Sequence, residues 1–428
     1  TWGRWSFIGL NPSLTLTLTH GSLTVEGDLP DGVSTGEGLL VAMQGLLEVY
    51  QSPDIDGLPP LHGGLMGYLG YDVVREVEHL PDTPPDDRGF PDGVMSVIGD
   101  MVAIDHWRQR AVLIANVVIP ENADEETLDS LYAEAQQRLD DLAAAGAKPL
   151  DEPLMAPPDP EEEPPETTSS ISRENYCLAV EAAREHILAG DIFQVVLSQR
   201  FDVELGAEPF DVYRVLRQIN PSPYMYFLRY PDMTVVGSSP EPMVQLLGGR
   251  VISRPIAGTR RRGASDVEDR RMAAELVEDP KERAEHVMLM DLARNDVGRV
   301  VRFGTEEVEE MMTLERYSHV MHLTSQVSGE LAPGHTPIDV LRATLPAGTV
   351  SGAPKVRAME IIDQLEPVKR GPYAGVVGYF DFSGNIDTAI AIRTMLVKDG
   401  IASVQAGAGI VADSIPEAEY EECRNKAK

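Results

Sequence analysis

Glu282 and Glu285 stand three residues apart in a segment with helical spacing, so their carboxylates share one face. Glu419 and Glu422 repeat that spacing near the C-terminus, with Lys426 one turn beyond Glu422. Two such pairs meeting in space would offer the hard oxygen ligands that Mg²⁺ prefers, with positions left for water and substrate. By spacing alone each pair is a weak signal, since such pairs usually mark a solvated helix face. The run Gln405-Ala406-Gly407-Ala408-Gly409-Ile410 puts two glycines inside a strand-like stretch. Glycine weakens a strand, so it signals close approach by a ligand or another backbone, or else a bend. N–H groups bared there could hold a carboxylate. Thr349 to Lys355 (TVSGAPK) enters a helix whose free N–H groups favour anions, although the P-loop spacing is absent. Arg254 to Gly263 (RPIAGTRRRG) crowds basic residues into either an anion contact or a solvated turn. Arg393 falls within the apolar run Thr388–Val397, which predicts a buried arginine needing a carboxylate or an anionic ligand. His322, between Met321 and Leu323, reads as a satisfied core histidine. There is no GxSxG elbow, and neither Cys177 nor Cys423 has an activating histidine nearby in sequence. A glutaminase built into this chain is not expected.

These groups need elements to bring them together. Leu14–Thr19 alternates leucine and threonine, which predicts a half-buried strand. Met95–Ile104 and Ala111–Ile119 are apolar runs on either side of Trp107-Arg108-Gln109, a hairpin pattern. Glu125–Ala145 has helical spacing, with Leu128, Leu131, Ala135, Leu139 and Leu142 on one stripe. Residues 1–150 thus form an N-terminal part. An acidic linker follows over 151–168, and its first sixteen residues hold six prolines and seven acids, a composition that stays extended. Residues 169–428 form the larger, C-terminal part. Ser172 is placed to cap a helix to Ala189, and short strands follow at Val195–Phe201, Met225–Arg229, Thr234–Val236 and Met243–Leu247. Helices are predicted over 266–278, 281–296 and from near Pro354. Strands return at Gly375–Phe382, Thr388–Val397 and Ala402–Ala406, with a last helix from Pro416. Strand groups and helix groups without regular βαβ alternation predict an α+β fold.

Over 428 residues, 36 Lys plus Arg stand against 69 Asp plus Glu, a formal net charge of −33. Such acidity repels phosphate backbones and anionic membranes, which argues against nucleic acid and membrane as partners. No apolar run reaches the roughly 18–20 residues of a membrane span. Two cysteines outside any CxxC pattern fit a reducing, cytoplasmic compartment. The start at Thr1, without an initiator Met or signal-like segment, reads as a fragment of a longer chain.

In this order the segments resemble the chorismate-utilising enzymes, most closely the anthranilate synthase component I family. The resemblance runs through Trp5-Ser6-Phe7-Ile8-Gly9, Ser239-Pro240-Glu241, PIAGT at 255–259 and AEHVMLMDLARNDVGRV at 284–300. It continues through GTVSGAPKVRAMEIIDQLEP at 348–367, GPYAGVVGYF at 371–380, AIR at 391–393, QAGAGIV at 405–411 and EAEYEEC at 417–423. It implies two antiparallel sheets packed face to face, helices outside and the active site in the cleft. It also implies Mg²⁺ held by Glu285 and Glu422, with Glu282 and Glu419 behind them or acting through water. The ring carboxylate of chorismate would meet the metal, the backbone of Gly407, Ala408 and Gly409, and Lys426. Tyr373 and Arg393 would grip the enolpyruvyl carboxylate, and Gly258 and Thr259 would also touch substrate.

The reaction implied has ammonia adding at C2 as the C4 hydroxyl leaves, giving an aminodeoxyisochorismate. Loss of pyruvate then yields anthranilate, the first committed step of tryptophan biosynthesis. Glu241 is the candidate acid for the hydroxyl and His322 the candidate base for the C2 proton, with Thr259 also counted as catalytic. Ala257 replaces the lysine of aminodeoxychorismate synthases (PIKGT), and Gln194 stands where isochorismate and salicylate synthases carry a water-activating lysine. Both substitutions favour direct attack by ammonia. A separate glutamine amidotransferase subunit is implied as its source, commonly in a two-plus-two assembly. Inhibition by L-tryptophan is implied at Pro223, Tyr224 and Met225 together with a Leu-Leu-Glu-Ser segment that would precede Trp2, so it is expected to be impaired in this chain. The rival readings are aminodeoxychorismate synthase component I, a phenazine-pathway relative stopping at the amino intermediate, and a non-catalytic tryptophan-sensing paralogue.

Overall fold

A computed structural model describes residues 3–53, 55–150, 152–153, 155–157, 165–316 and 320–428. Trp2 and much of the linker expected over 151–166 lie outside the described residues. The largest sheet has eleven antiparallel strands. Its order is Ile256–Arg261, Val320–Glu330, Arg250–Ser253, Pro242–Leu247, Ile386–Ile390, Val376–Asp381, Gly64–Leu69, Gly93–Ile98, Leu14–Thr19 and Ser22–Gly27, with Glu307–Arg316 beside Val320–Glu330. A seven-stranded sheet runs Tyr224–Arg229, Thr234–Ser239, Thr394–Lys398, Ile401–Ile410, Gln194–Glu204 and Gly352–Ala353, with Thr168–Ser169 beside Gln194–Glu204. Trp5–Leu10, Asp100–Asp105 and Arg110–Ala115 make a third, small sheet that the two-sheet expectation lacks. Strands from before and after the linker share the largest sheet, since Gly64–Leu69 pairs with Val376–Asp381.

Local signals explain many elements. In Leu14–Thr19 the three leucines are buried and the threonines are not. Ser172 caps helix Arg173–Leu188 by accepting from the Asn175 N–H. The stripe on helix Glu125–Gly146 is real but shallow: no residue of that helix is buried, and Leu128 remains 41% exposed. Two apolar runs depart from the single strands they predict. Met95–Ile104 divides at Gly99 between the large and the small sheet, and Thr388–Val397 divides at 391–393 between the large and the seven-stranded sheet. Apolar character runs through the second break because Ile390, Ala391 and Leu396 are all buried, so hydrophobicity cannot mark the crossing.

The two main sheets share their core. Tyr68, Val94 and Val377 from one pack in a cluster with Val235 and Leu396 from the other. Burial of each such side chain contributes about 1.5–3 kcal/mol. The chain passes between the sheets at Pro240–Glu241 and again at Ala391–Arg393, and the two crossings are tied together. Ile390 N donates to Glu241 O at 3.0 Å, Ser239 Oγ to Ile390 O at 2.7 Å and Ser238 N to Arg393 O at 3.1 Å.

Candidate active site

Strand Ile401–Ile410 pairs along its length with Gln194–Glu204, but its ladder with Thr394–Lys398 stops at Val404↔Met395. From Gln405 onward one edge is therefore open, just beyond Arg393. Val196 N donates to Ser351 O, Val196 O accepts from Arg370, and Ser198 N donates to Glu366. Those peptide groups point away from Ile401–Ile410. Their partners Gly409 and Gly407 thus form the pairs that exchange no backbone hydrogen bonds, and turn their own N–H groups to the open edge. Gly407 O fixes the direction by accepting from Lys426 Nζ at 3.0 Å. A methyl at Gly407 would lie 2.7 Å from the Tyr373 hydroxyl, and one at Gly409 would strike the Gln194 amide. Side chains, with the Leu197 carbonyl beside Gly407, crowd the space a methyl would need at these glycines. Ala408 between them is fully buried and turns its peptide groups the other way, toward Leu197 on strand Gln194–Glu204.

Arg393 requires a correction. It lies neither within a strand nor buried, but in the crossing between sheets, exposed and at φ 49. Its guanidinium makes no hydrogen bond or ion pair with any described residue. Desolvation by its surroundings lowers its pKa, and the neighbouring Glu241 carboxylate opposes that shift. At the adjoining crossing, burial raises the Glu241 pKa to about 7, with Thr349, Lys426 and Arg393 pulling the other way. The Thr349 hydroxyl is buried beside Glu241 without a well-formed hydrogen bond. Both residues line a narrow cavity with Arg254 and Asp296.

His322 belongs to Val320–Glu330, whose pairing with Ile256–Arg261 shifts register between Ala257 and Thr259. Gly258 takes up the bulge at φ 70, which brings its carbonyl within 3.1 Å and Thr259 Oγ1 within 3.0 Å of His322 Nδ1. In the tautomer that donates Nδ1–H to Gly258, Nε2 is the basic nitrogen. Desolvation lowers the His322 pKa, with Gly258 opposing and Arg393 adding to the fall, so the ring is neutral at neutral pH.

Glu282 and Glu285 project from helix Pro280–Gly298, which Asp279 caps. Burial raises the Glu285 pKa, as do Glu282 and, from the final helix Pro416–Ala427, Glu422; a long 3.5 Å bond from Gln194 opposes them. Glu285 and Glu422 thus face each other closely enough to repel. The other carboxylates have partners: Glu282 takes Arg260 at 2.8 Å and Glu422 takes Lys426 at 2.7 Å. Glu419 is half-buried, and its pKa rises by desolvation against a hydrogen bond from Ser414. Among the described residues no group of three or more His, Cys, Asp or Glu is gathered to hold a metal. Two mutually repelling carboxylates open to water and substrate oxygens remain, a donor set that suits Mg²⁺.

The basic run is not a solvated turn. Arg254 pairs with Glu310 and Glu315, Arg260 with Asp279 and Glu282, and Arg262 with Asp269. Pro223, Tyr224 and Met225 lie elsewhere, at the start of the edge strand Tyr224–Arg229, where Tyr224 Oη donates to Asp387 at 2.8 Å. The sequence pattern marks the run Thr349–Lys355 for its backbone N–H groups, whereas the Thr349 hydroxyl, six residues before helix Lys355–Leu365, is what reaches Glu241; Arg370 carries no signal in the sequence.

Residues 13–428 match the model of the family described as chorismate binding enzyme. This chain belongs to that family. Anthranilate synthase component 1 of Acetivibrio thermocellus is 46% identical over 431 residues, covering 100% of this chain and 86% of its own. The Pseudomonas putida protein of that name is 48% identical over 433 residues, with coverage of 100% and 86%. The crystal structure of anthranilate synthase component I from Streptococcus pneumoniae matches with a TM-score of 0.84 at 39% identity, covering 100% of this chain and 92% of that one. These likenesses place the chain in the anthranilate synthase component I family and bear out its α+β fold of antiparallel sheets. Among the described residues, no helix is long and apolar enough to cross a membrane.

Proposed function

We propose that this cleft converts chorismate and ammonia to anthranilate and pyruvate, the committing reaction of tryptophan synthesis. One observation carries the reading: the open glycine edge, an arginine without a protein partner and a carboxyl group titrating near neutrality all converge where the chain changes sheets. Chorismate brings two carboxylates to a chain of formal net charge −33, so the positive groups that receive it must be local. The Gly407 and Gly409 N–H groups and Lys426 suit the ring carboxylate, while Arg393 and Tyr373 suit the enolpyruvyl carboxylate. Charge-assisted contacts of this kind contribute about 1.5–3 kcal/mol each. Glu285 and Glu422 would hold Mg²⁺, with Glu282 and Glu419 supporting them; when bound, the ion offsets the negative charge of the ring carboxylate.

Hydroxide is a poor leaving group, so the C4 oxygen must gain a proton as it departs. Glu241, its pKa raised to about 7, is protonated in about half of the molecules at neutral pH and gives that proton, with Thr349 beside it, and water leaves. The ammonia lone pair forms the C2–N bond as the ring double bonds shift, and the nitrogen then releases one proton. Neutral His322, steadied by Gly258 and Thr259, takes the C2 proton; the freed electron pair closes the aromatic ring as the C3–O bond breaks and enolpyruvate departs. Ala257 and Gln194 supply no basic amine, which favours ammonia over an enzyme nucleophile or activated water. The relatives' name, component 1, supports a second component, here read as a glutamine amidotransferase delivering ammonia. Tyr224 and its neighbours are read as part of a tryptophan site.

The test is to incubate the chain with chorismate, ammonium and Mg²⁺. Anthranilate fluorescence should appear and EDTA should abolish it. Chromatography showing only a para-aminated product, or no amination at all, would overturn the reading.

A further inference from the structure

We propose that the buried Arg370–Glu366 pair is a positioning element that holds the glycine edge, the Tyr373 ring and the Thr349 turn in mutual register. It touches none of the groups assigned to substrate contact except the Tyr373 ring, and it is 3% exposed at Arg370 and 7% at Glu366. Four of the five guanidinium N–H donors are used. Nε donates to Glu366 Oε2 at 2.8 Å, Nη1 to Val350 O at 2.7 Å, and Nη2 to Val196 O at 2.7 Å and Glu366 Oε1 at 2.6 Å. The guanidinium also lies over the rings of Tyr71 and Tyr373, at 4.7 and 5.7 Å. Glu366 in turn accepts from Ser198 N at 2.8 Å and Ser198 Oγ at 2.9 Å, and that hydroxyl takes Gln405 Nε2 at 2.8 Å.

Strand Gly352–Ala353 covers Gln194–Glu204 only at Gln194 and Val195. Beyond it, where a neighbouring strand would satisfy Val196 O and Ser198 N, the ion pair does so. That occupation is what leaves Gly407 and Gly409 as the non-bonded partners whose N–H groups face the open edge. The same guanidinium binds Val350, next to Thr349, and stacks on Tyr373, whose hydroxyl stands over Gly407. One planar, fixed fork thus aligns three walls of the cleft, which lysine, a point charge on a flexible stem, cannot reproduce.

The assignment rests on the proposed function for its kinetic arm only. Truncating Arg370 alone would leave Glu366 buried without its ion-pair partner, so the principal variant is Arg370→Met with Glu366→Gln, beside the single change Arg370→Lys. In both full-length variants, hydrogen exchange over 194–198 and 345–354 should quicken about tenfold or more, with helix Arg173–Leu188 unchanged. With chorismate and ammonia, kcat/KM in the double variant should fall about 100-fold, the effect expected of a misplacement near 1 Å. Its high-pH limb should move upward as Thr349 withdraws from Glu241, and Arg370→Lys should recover part of the rate. A folded double variant with wild-type exchange in both segments would overturn the proposal, whatever the enzyme makes; so would wild-type kcat/KM and pH profile. If the double variant does not fold, Arg370→Lys decides by the same two readouts.

Discussion

Arg370 and Arg393 serve one cleft with opposite designs. The first is enclosed and hydrogen-bonded to Glu366, Val350 and Val196; the second is exposed, takes a left-handed backbone conformation and bonds to no described side chain. A guanidinium whose partners are all protein can only position other groups. One without protein partners is left to water or to a ligand. The carboxylates divide the same way. Glu366 receives Arg370 and Ser198, whereas Glu241 and Glu285 lack an ion pair among the described residues and burial raises the pKa of both. The fold keeps unsatisfied groups in place by setting satisfied ones behind them.

The largest break in this contrast is Glu241→Gln, which preserves shape and removes the proton. With saturating ammonia and chorismate, kcat should fall about 10²–10⁴-fold. Glu241 works protonated and its pKa lies at about 7, so wild-type turnover, corrected for the NH₃ present, should decline above that pH. The residual activity of the variant should lack that decline. Undiminished turnover would remove Glu241 from the acid's role and leave the open half of the cleft without its proton source.

The fold's strands and helices were legible because period-2 and period-3.6 patterns run nearly end to end, as in Leu14–Thr19 and Arg173–Leu188. What could not be read was where the run Thr388–Val397 changes sheets, since Ile390, Ala391 and Leu396 on either side of the crossing are all buried and apolar. That is why Arg393 reads as a buried strand residue and proves to be an exposed crossing residue. The open edge at Gly407 and Gly409 was half visible: the glycines announce close approach, but which side their N–H groups face depends on Val196 and Ser198, two hundred residues earlier. Glu366 lies at the end of the run GTVSGAPKVRAMEIIDQLEP, but Arg370 falls after it, past the end of helix Lys355–Leu365, and nothing local marks the pair as buried.

Arg393→Gln sharpens the comparison from the ligand's side. Losing one charge-assisted contact should raise the apparent KM for chorismate about 10–100-fold. Because no internal partner is lost, the melting temperature should stay within roughly 1 °C of wild type. A large drop in melting temperature with unchanged KM would make Arg393 a structural residue of the Arg370 kind.

The smallest effect belongs to a carboxylate between the two classes. Asp387 accepts from Tyr224 Oη at 2.8 Å and Gln245 Nε2 at 2.9 Å but has no ion pair among the described residues, and burial lifts its pKa from 3.8 to about 6. A folded pKa above the unfolded one means the native state holds the proton more tightly. The stability this gives is complete below about pH 4 and is lost as pH rises through about 6. Asp387→Asn keeps an acceptor for Tyr224 and removes the titration. Between pH 5 and 7 the wild-type melting temperature should therefore fall relative to the variant by about 1–2 °C. Parallel pH profiles would mean that two hydrogen bonds suffice to keep this carboxylate ionised, and the dividing line between the classes would then be hydrogen-bond count rather than an opposite charge.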